Sequence, residues 1–168
     1  MKAIVFLEDF VEESEFLYPL YRLREAGFDA RIAAPERRTY KGKNGLPLKP
    51  EITLDEVDPQ DLDLVFIPGG YAPDRLRRSP QVLEIVRTVY ERGKPVVTIC
   101  HGPWVLISAG LVKGKTVTGY FAIKDDLINA GARYTGNPVE KDGNLYTATD
   151  PRAMPELFKT LLKDLGLA

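Results

Sequence analysis

The stretch that decides the fold is PVVTICHGPWVLISAGLV, which runs from Pro95 to Val112. Its 18 residues contain no Asp, Glu, Lys or Arg, and this length and composition come close to those of a membrane span. A polar break at residues 100–103 argues against a span, because a β-branched run precedes it and a second apolar run, residues 104–107, follows it. We therefore expect a buried strand, a sharp turn and a buried helix.

Outward from this stretch, short apolar runs alternate with amphipathic segments along the chain. The alternation is typical of an α/β fold in which a mostly parallel sheet carries helices on both faces, here as a single domain over residues 1–168. The predicted strands are 2–7, 29–34, 62–67 and 96–99, with short ones near 117, at 133–134 and at 144–147. The predicted helices are 12–26, one beginning at Ser79-Pro80, 124–130 and one after Asp150-Pro151, and Lys43-Asn44-Gly45 predicts a hairpin within 35–59.

Composition and charge argue against several classes of protein. With 168 residues, 44% of them hydrophobic, the chain can build one globular core. A net charge of −1 provides no field that would gather nucleic acid or an anionic membrane, so we expect neither partner. One cysteine cannot form an intramolecular disulfide and no signal-peptide pattern is present, so we expect a cytoplasmic protein. Six Asn and Gln residues in total suggest a thermophilic source.

Cys100 is the candidate nucleophile. It stands where the β-branched run stops and a helix begins, and Gly102 leaves room for a tight strand-to-helix turn. Free backbone N–H groups and the positive end of the helix dipole would favour a thiolate there, so we expect its pKa to lie below the usual value of about 8.5. The alternative is a buried, inert core cysteine.

His101 is the only histidine, so any imidazole base must be this residue. Gly70 follows the third predicted strand, and in a doubly wound sheet this loop and the Cys100 turn lie at the same edge. The backbone N–H groups of Gly70 and His101 could together face a developing oxyanion. A structural histidine and a merely permissive Gly-Gly turn are the alternatives.

Three further side chains are candidates from their positions. Glu12 follows the first strand, and a carboxyl touching Cys100 would be protonated and would donate a hydrogen bond; a solvated helix start is the alternative. Asp74 lies in the polar stretch just past Gly70, and the alternative to a functional role for it is a surface salt bridge. For Tyr120 the alternative to a functional role is a place at the edge of the core.

No cofactor and no metal are predicted. One histidine and one cysteine cannot form a tetrahedral zinc site without carboxylates. The chain has no G-x-G-x-x-G or P-loop motif, and its acidic first helix would repel phosphate, so nucleotide and flavin binding are disfavoured.

The elbow Ile99-Cys100-His101-Gly102-Pro103, the loop Pro68-Gly69-Gly70, Glu12 and the run from Tyr120 to Gly131 together resemble the PfpI family of the DJ-one superfamily. The resemblance covers essentially the whole chain. It implies a flavodoxin-like three-layer sandwich and homodimers that often assemble into hexamers as trimers of dimers. It also implies an intracellular cysteine enzyme, described both as a peptidase and as a deglycase, with small aldehydes, glycated amino groups or peptides as substrates.

By the same resemblance, Cys100 is the nucleophile and Glu12 its protonated partner, Gly70 and His101 supply the oxyanion donors, and Tyr120 lines the pocket. A glutamate of the neighbouring subunit orients the histidine in such peptidases. At the matching position this chain has Asp74, a shorter carboxylate.

Two functions remain open at this point. In the first, Cys100 attacks a carbonyl or an aldehyde as a hydrolase, either a glyoxalase III-like deglycase or a peptidase. In the second, the protein is a cysteine redox sensor or a stress-protective, chaperone-like protein, in which the thiolate is oxidised to a sulfinic acid that Glu12 stabilises. Glutamine amidotransferases share the elbow but need a later His-x-Glu, which this chain lacks.

Overall fold

A computed structural model describes all residues 1–168, which form eleven strands. They are β1 (Lys2–Phe6), β2 (Asp29–Ala34), β3 (Tyr40–Lys41), β4 (Pro47–Leu48), β5 (Ile52–Thr53), β6 (Leu64–Ile67), β7 (Val96–Ile99), β8 (Thr116–Val117), β9 (Arg133–Tyr134), β10 (Val139–Asp142) and β11 (Leu145–Ala148). Seven of them form one sheet in the order β10-β11-β7-β6-β1-β2-β5. Every pair in this sheet is parallel except β10 with β11.

Six helices form the outer layers. They are α1 (Glu13–Glu25), α2 (Ala72–Leu76), α3 (Pro80–Glu91), α4 (Pro103–Ser108), α5 (Lys124–Asn129) and α6 (Met154–Asp164). Helix α1 packs beside α6, whereas α4 packs against α2, α3 and α5, so the helices fall into two groups around the sheet. The predicted α/β sandwich with a mostly parallel sheet is confirmed.

The centre of the sheet explains the apolar runs in the sequence. All residues of β6 (LVFI) and β7 (VVTI) are buried, as expected of parallel strands covered on both faces. The one polar side chain in these two strands, Thr98, donates from Oγ1 to the carbonyl oxygen of Ile67 at 2.8 Å. This bond ties the second-to-last residue of β7 to the last residue of β6, next to the edge where the candidate residues lie.

The chemistry of the helix caps determines where α3 begins. Ser79 Oγ accepts a hydrogen bond from the backbone N–H of Val82 at 3.3 Å, and Pro80 occupies the first turn. The apolar residues of this helix at helical spacing, Val82, Ile85, Val86 and Val89, are all buried. Both the start and the buried face agree with the prediction.

Three segments differ from the prediction, and one of them is the strand β10, which was not predicted. Residues 40–48 form the expected antiparallel hairpin β3-β4, but Ile52 and Thr53 then join the main sheet beside β2 as a parallel edge strand. The polar segment after Gly70 contains the helix α2, which was not predicted. A strand of two residues and a helix of five are too short to show a periodicity.

The last helix also begins later than predicted. Asp150 caps Pro151–Ala153 by accepting from the backbone N–H of Arg152 at 3.0 Å, but these residues form a 3-10 turn, and α6 starts at Met154. No helix of the molecule is both long enough and apolar enough to cross a bilayer.

Candidate active site

Cys100 lies at the end of β7 in a strained backbone conformation. Its φ angle is +62°, in the left-handed region that side chains with a Cβ rarely adopt. Gly102 makes the bend possible, since a Cβ there would overlap Thr98 Oγ1 and lie 2.9 Å from the carbonyl oxygens of Ile67 and Ile99. The strand-to-helix elbow predicted from the sequence is therefore present, and it exposes 8% of Cys100.

Two backbone N–H groups face the sulfur. The N–H groups of Gly70 and His101 both lower the pKa of Cys100 by hydrogen bonding to its ionised form. Gly70 has a φ of +77°, and a Cβ at this position would lie 2.7 Å from the carbonyl oxygen of Phe10 and 2.9 Å from the carbonyl carbon of Val11. Only glycine fits at position 70, where the loop after β6 passes close to the loop after β1. This close approach holds the Gly70 N–H at the same edge of the sheet as the His101 N–H.

Glu12 does not contact Cys100, which corrects the prediction. Its carboxylate caps α1, accepting from Ser14 at 3.0 Å from the backbone N–H and at 2.8 Å from Oγ. Lys43 Nζ lies 3.3 Å from the other oxygen. These partners hold the pKa of Glu12 below its usual value, although burial opposes them. Glu12 is therefore an ionised capping residue, as the alternative interpretation proposed.

The carboxyl beside Cys100 belongs to Glu15. Glu15 is fully buried, and a Cβ at Gly69 would overlap its Oε1 and lie 2.7 Å from Cys100 Cβ. Burial, and secondly the charge of Glu12, raise the pKa of Glu15 to about 8, so this carboxyl holds its proton at neutral pH. A signal was present in the sequence: Glu15 shares the buried helical face of α1 with Pro19 and Leu23, at spacings of four residues.

The pKa of Cys100 moves opposite to the expected direction. Burial, and secondly the charge of Glu15, raise the pKa of Cys100 to about 12, and the N–H groups of Gly70 and His101 only partly oppose this. The prediction of a depressed pKa is therefore wrong, because it counted the helix dipole and omitted desolvation. Since Glu15 is protonated at neutral pH, the thiol ionises more readily there than it would beside a carboxylate.

The His101 imidazole lies against the sulfur of Cys100. Its Nδ1 lies 3.2 Å from Cys100 Sγ. Burial, and secondly the charge of Lys43, lower the pKa of His101, so the imidazole is neutral at neutral pH. The ring stacks on Tyr120 with a centroid separation of 5.0 Å and an interplanar angle of 24°. Tyr120 thus lies directly against His101.

Asp74 lies apart from His101 within the chain. It is an exposed residue of α2 that pairs with Arg78 at 3.0 Å. Within its own chain, the His101 side chain makes its hydrogen bond to Cys100 Sγ.

A cleft opens beside the site on the side of Tyr120. It has a volume of about 810 Å³ and includes Thr149, the residue that follows β11. The backbone N–H of Cys100 donates to Ala148, the last residue of β11, at 3.0 Å. The cleft therefore begins at the carboxyl end of the strand next to β7, where ligands bind in doubly wound sheets.

The chain matches known proteins along its whole length. The model of the DJ-1/PfpI family matches residues 1–164. The chain is 42% identical to "Deglycase PfpI" of Pyrococcus furiosus over 151 residues, which cover 90% of this chain and 91% of the relative. It is 36% identical to "Protein/nucleic acid deglycase 2" of Escherichia coli over 168 residues, which cover 98% of each chain.

A solved structure gives the same result for the fold. Drosophila melanogaster DJ-1beta superimposes with a TM-score of 0.92 at 29% identity, over 99% of this chain and 91% of that one. The elbow at Cys100, the Gly70 loop and the family match over residues 1–164 agree, and the chain is a member of the DJ-1/PfpI family.

Proposed function

We propose that this protein is a cysteine-dependent deglycase of the glyoxalase III type, acting on methylglyoxal, glyoxal and their adducts with amino groups, with peptide hydrolysis as a further activity of the same site. The observation that carries the proposal is the joint placement of Cys100, the Nδ1 atom of His101 3.2 Å from its sulfur, and two backbone N–H donors. The names of the two deglycase relatives support the choice of substrate.

In the proposed reaction, Cys100 Sγ attacks the aldehyde carbon of methylglyoxal while His101 Nδ1 accepts the thiol proton. The carbonyl π electrons move to oxygen, and the N–H groups of Gly70 and His101 stabilise the oxyanion that becomes a hemithioacetal. Transfer of the hydrogen on this carbon to the neighbouring carbonyl carbon gives the thioester of lactate. Water then hydrolyses the thioester, which returns the thiol and releases lactate. The sum is methylglyoxal plus water to lactic acid.

Glu15 has a defined part in this scheme. Its carboxyl keeps a proton at neutral pH because its pKa is raised to about 8. A neutral carboxyl donates a hydrogen bond to a thiolate, whereas an ionised one would repel it. Glu15 thus takes the role that the sequence assigned to Glu12.

We further propose that the site is completed by a second copy of the chain. Asp74 of a partner subunit would orient His101, which has no carboxylate partner in its own chain. This arrangement requires a homodimer, and three such dimers would form the hexamer implied by the family resemblance. The shared site also gives Asp74 a reason to lie exposed on α2 rather than in the core.

The decisive experiment measures released lactate when methylglyoxal is supplied, because loss of the aldehyde alone also reports reversible adducts. We expect wild-type protein to release lactate catalytically and Cys100→Ser to release none above the buffer rate. A matched control is Thr160→Ala, a hydroxyl change in α6 away from the sulfur's surroundings. Equal lactate release by wild type and Cys100→Ser would contradict the proposal.

A redox role is the second candidate, and the buried carboxyl favours it. The carboxyl of Glu15 is buried beside the sulfur and holds a proton at neutral pH, which it can donate to an oxidised Cys100. Two equivalents of hydrogen peroxide would convert the thiol to a sulfinic acid and release two water molecules. Mass spectrometry after peroxide treatment distinguishes the candidates. Stoichiometric sulfinic acid on Cys100 together with no lactate turnover would favour the sensor.

A further inference from the structure

Trp104 is the only tryptophan in the chain, and it lies in α4 three residues after His101. The two rings meet edge to face, with centroids 5.1 Å apart and an interplanar angle of 66°. His101 also stacks on Tyr120, at 5.0 Å. The imidazole is therefore in contact with two aromatic rings, of which Trp104 belongs to a helix and Tyr120 to an exposed turn.

Trp104 is itself held in place by two other helical segments. Its Nε1 donates to Asp126 Oδ2 in α5 at 2.9 Å. The guanidinium carbon of Arg77, at the end of α2, lies 5.4 Å from the centroid of the indole ring, and Arg77 Nε donates to Ser108 Oγ at 2.9 Å. Because the acceptor is a carboxylate, the bond to Asp126 is of the stronger, charge-assisted kind.

The orientation of the His101 ring matters because only one of its atoms, Nδ1, contacts the sulfur of Cys100. Nδ1 lies 3.2 Å from Cys100 Sγ, and turning the imidazole would remove this contact. Without a carboxylate in its own chain, the ring depends on packing to hold this orientation. The other charged or titratable groups acting on it are Lys43, from the β3-β4 turn, and Tyr120.

We propose that Trp104, fixed by its hydrogen bond to Asp126, is a positioning residue that holds the His101 imidazole with Nδ1 toward Cys100. The role rests on the cysteine chemistry proposed above and adds two residues to it. Trp104 and Asp126 act through His101 and touch no reacting atom.

The test compares two neighbouring aspartates in the first turn of α5. Asp126→Ala removes the acceptor of Trp104 Nε1, whereas Asp125→Ala removes a like charge from the same turn and leaves that bond intact. Asp126→Asn keeps an acceptor oxygen, and Trp104→Phe keeps a ring but loses the donor. The first measurement is the rate of Cys100 alkylation by iodoacetamide as a function of pH. The second is the fluorescence of Trp104 as a function of pH, in every protein except Trp104→Phe.

We expect Asp126→Ala and Trp104→Phe to slow alkylation at neutral pH by at least about threefold, because a displaced base loses its geometry toward the thiol. Asp126→Asn should restore the rate to within about twofold of wild type, and Asp125→Ala should match wild type. Imidazolium quenches a neighbouring indole more than neutral imidazole does. Wild-type fluorescence should therefore show a step at the pKa of His101, which lies below its usual value, and Asp126→Ala should reduce this step.

When wild-type Cys100 is alkylated, the positioning role is overturned if Asp126→Ala and Trp104→Phe share the alkylation rate and pH profile of Asp125→Ala. The fluorescence step needs no reactive cysteine, so it separates two failures. If wild-type Cys100 resists alkylation while the step is present and Asp126→Ala reduces it, the proposed function fails and the placement of His101 by Trp104 stands. If Cys100 reacts and none of the variants differs from wild type, only the positioning role fails.

Discussion

Glu15 and Cys100 meet at Gly69, where a single added Cβ would overlap the carboxyl of the first residue and lie 2.7 Å from the Cβ of the second. The carboxyl comes from the first turns of α1 and the thiol from the end of β7. Because both groups are buried and each disfavours charge on the other, their ionisations are linked. This pair therefore governs the predicted behaviour of the site.

The first prediction concerns proton donation by Glu15. Glu15→Gln keeps a neutral donor of the same length, so it should retain Cys100 alkylation to within about fivefold of wild type. Glu15→Asp should lose more, because its carboxyl is one methylene too short to reach the sulfur. Iodoacetamide labelling rates at neutral pH measure both variants. If Glu15→Gln abolished labelling and Glu15→Asp labelled normally, Glu15 would not act by donating a proton.

The second prediction concerns stability. The pKa of Glu15 is raised from 4.5 to about 8 on folding, so the folded state holds a proton that the unfolded state releases between these values. The stabilisation is complete below about pH 4.5 and is lost as the pH rises toward 8, by an amount on the order of 4 kcal/mol. Guanidinium unfolding at several pH values measures it.

Glu15→Gln is the control for this effect, because an amide does not titrate. The free energy of unfolding of wild type relative to Glu15→Gln should fall between pH 5 and pH 8. Other groups that titrate in this range, His101 included, cancel in the difference between the two proteins when the substitution leaves their pKa values unchanged. A difference that stays constant over this range would mean that Glu15 is ionised in the folded protein.

The third prediction separates backbone strain from close packing at Gly70. Gly70 and Gly110 have nearly the same φ, +77° and +76°, but a Cβ at Gly110 meets nothing within 4 Å. Gly110→Ala should cost about 1 kcal/mol in stability through strain alone and keep full activity. Gly70→Ala should cost more and remove most lactate release, because the loop that carries one N–H donor must shift. Unfolding curves and lactate assays measure the pair. Equal activity in the two variants would remove Gly70 from the oxyanion site.

The fourth prediction concerns the charge of Lys43. This cation lies beside Glu12 and lowers the pKa of both Cys100 and His101. Lys43→Met should therefore move the midpoint of the alkylation profile to higher pH, and added salt should narrow the gap from wild type because the side chain is partly exposed. Lys49→Met changes the same charge at an exposed position and is the control. A midpoint that moves equally in both variants would show only a net-charge effect.

The fifth prediction tests the shared site by subunit exchange. Cys100→Ala and Asp74→Ala should each be inactive or impaired alone. Random exchange puts roughly half of the two-fold interfaces in the mixed state, and one of the two sites in each has all groups intact, so about a quarter of wild-type activity should return. Mass spectrometry verifies the exchange.

Arg78→Ala is the control for this experiment, since it breaks the ion pair of Asp74 within the chain and leaves the carboxylate in place. It should retain activity. If exchange is complete and the mixture shows only the mean activity of the two variants, Asp74 is a surface charge and the site is not shared.

Much of the fold was predictable because it depends on local patterns. The buried runs of β6 and β7, the Ser79-Pro80 start of α3 and the hairpin around Asn44 each follow from a few neighbouring residues. The placement of Cys100 and Gly70 at one edge follows from parallel strands alone. The elements β5, β10 and α2, of two to five residues each, were missed because so few residues show no periodicity.

The sequence by itself determined the architecture, the elbow at Cys100 and the placement of Gly70 and His101 at the same edge of the sheet as that elbow. What only the tertiary structure decided is which carboxyl lies against the sulfur and how the thiol titrates. Glu12 and Glu15 are three residues apart, and only the docking of α1 on the sheet turns one toward Lys43 and buries the other. The pKa of a thiol likewise depends on the water removed by groups distant in sequence, and local residue patterns do not record that desolvation.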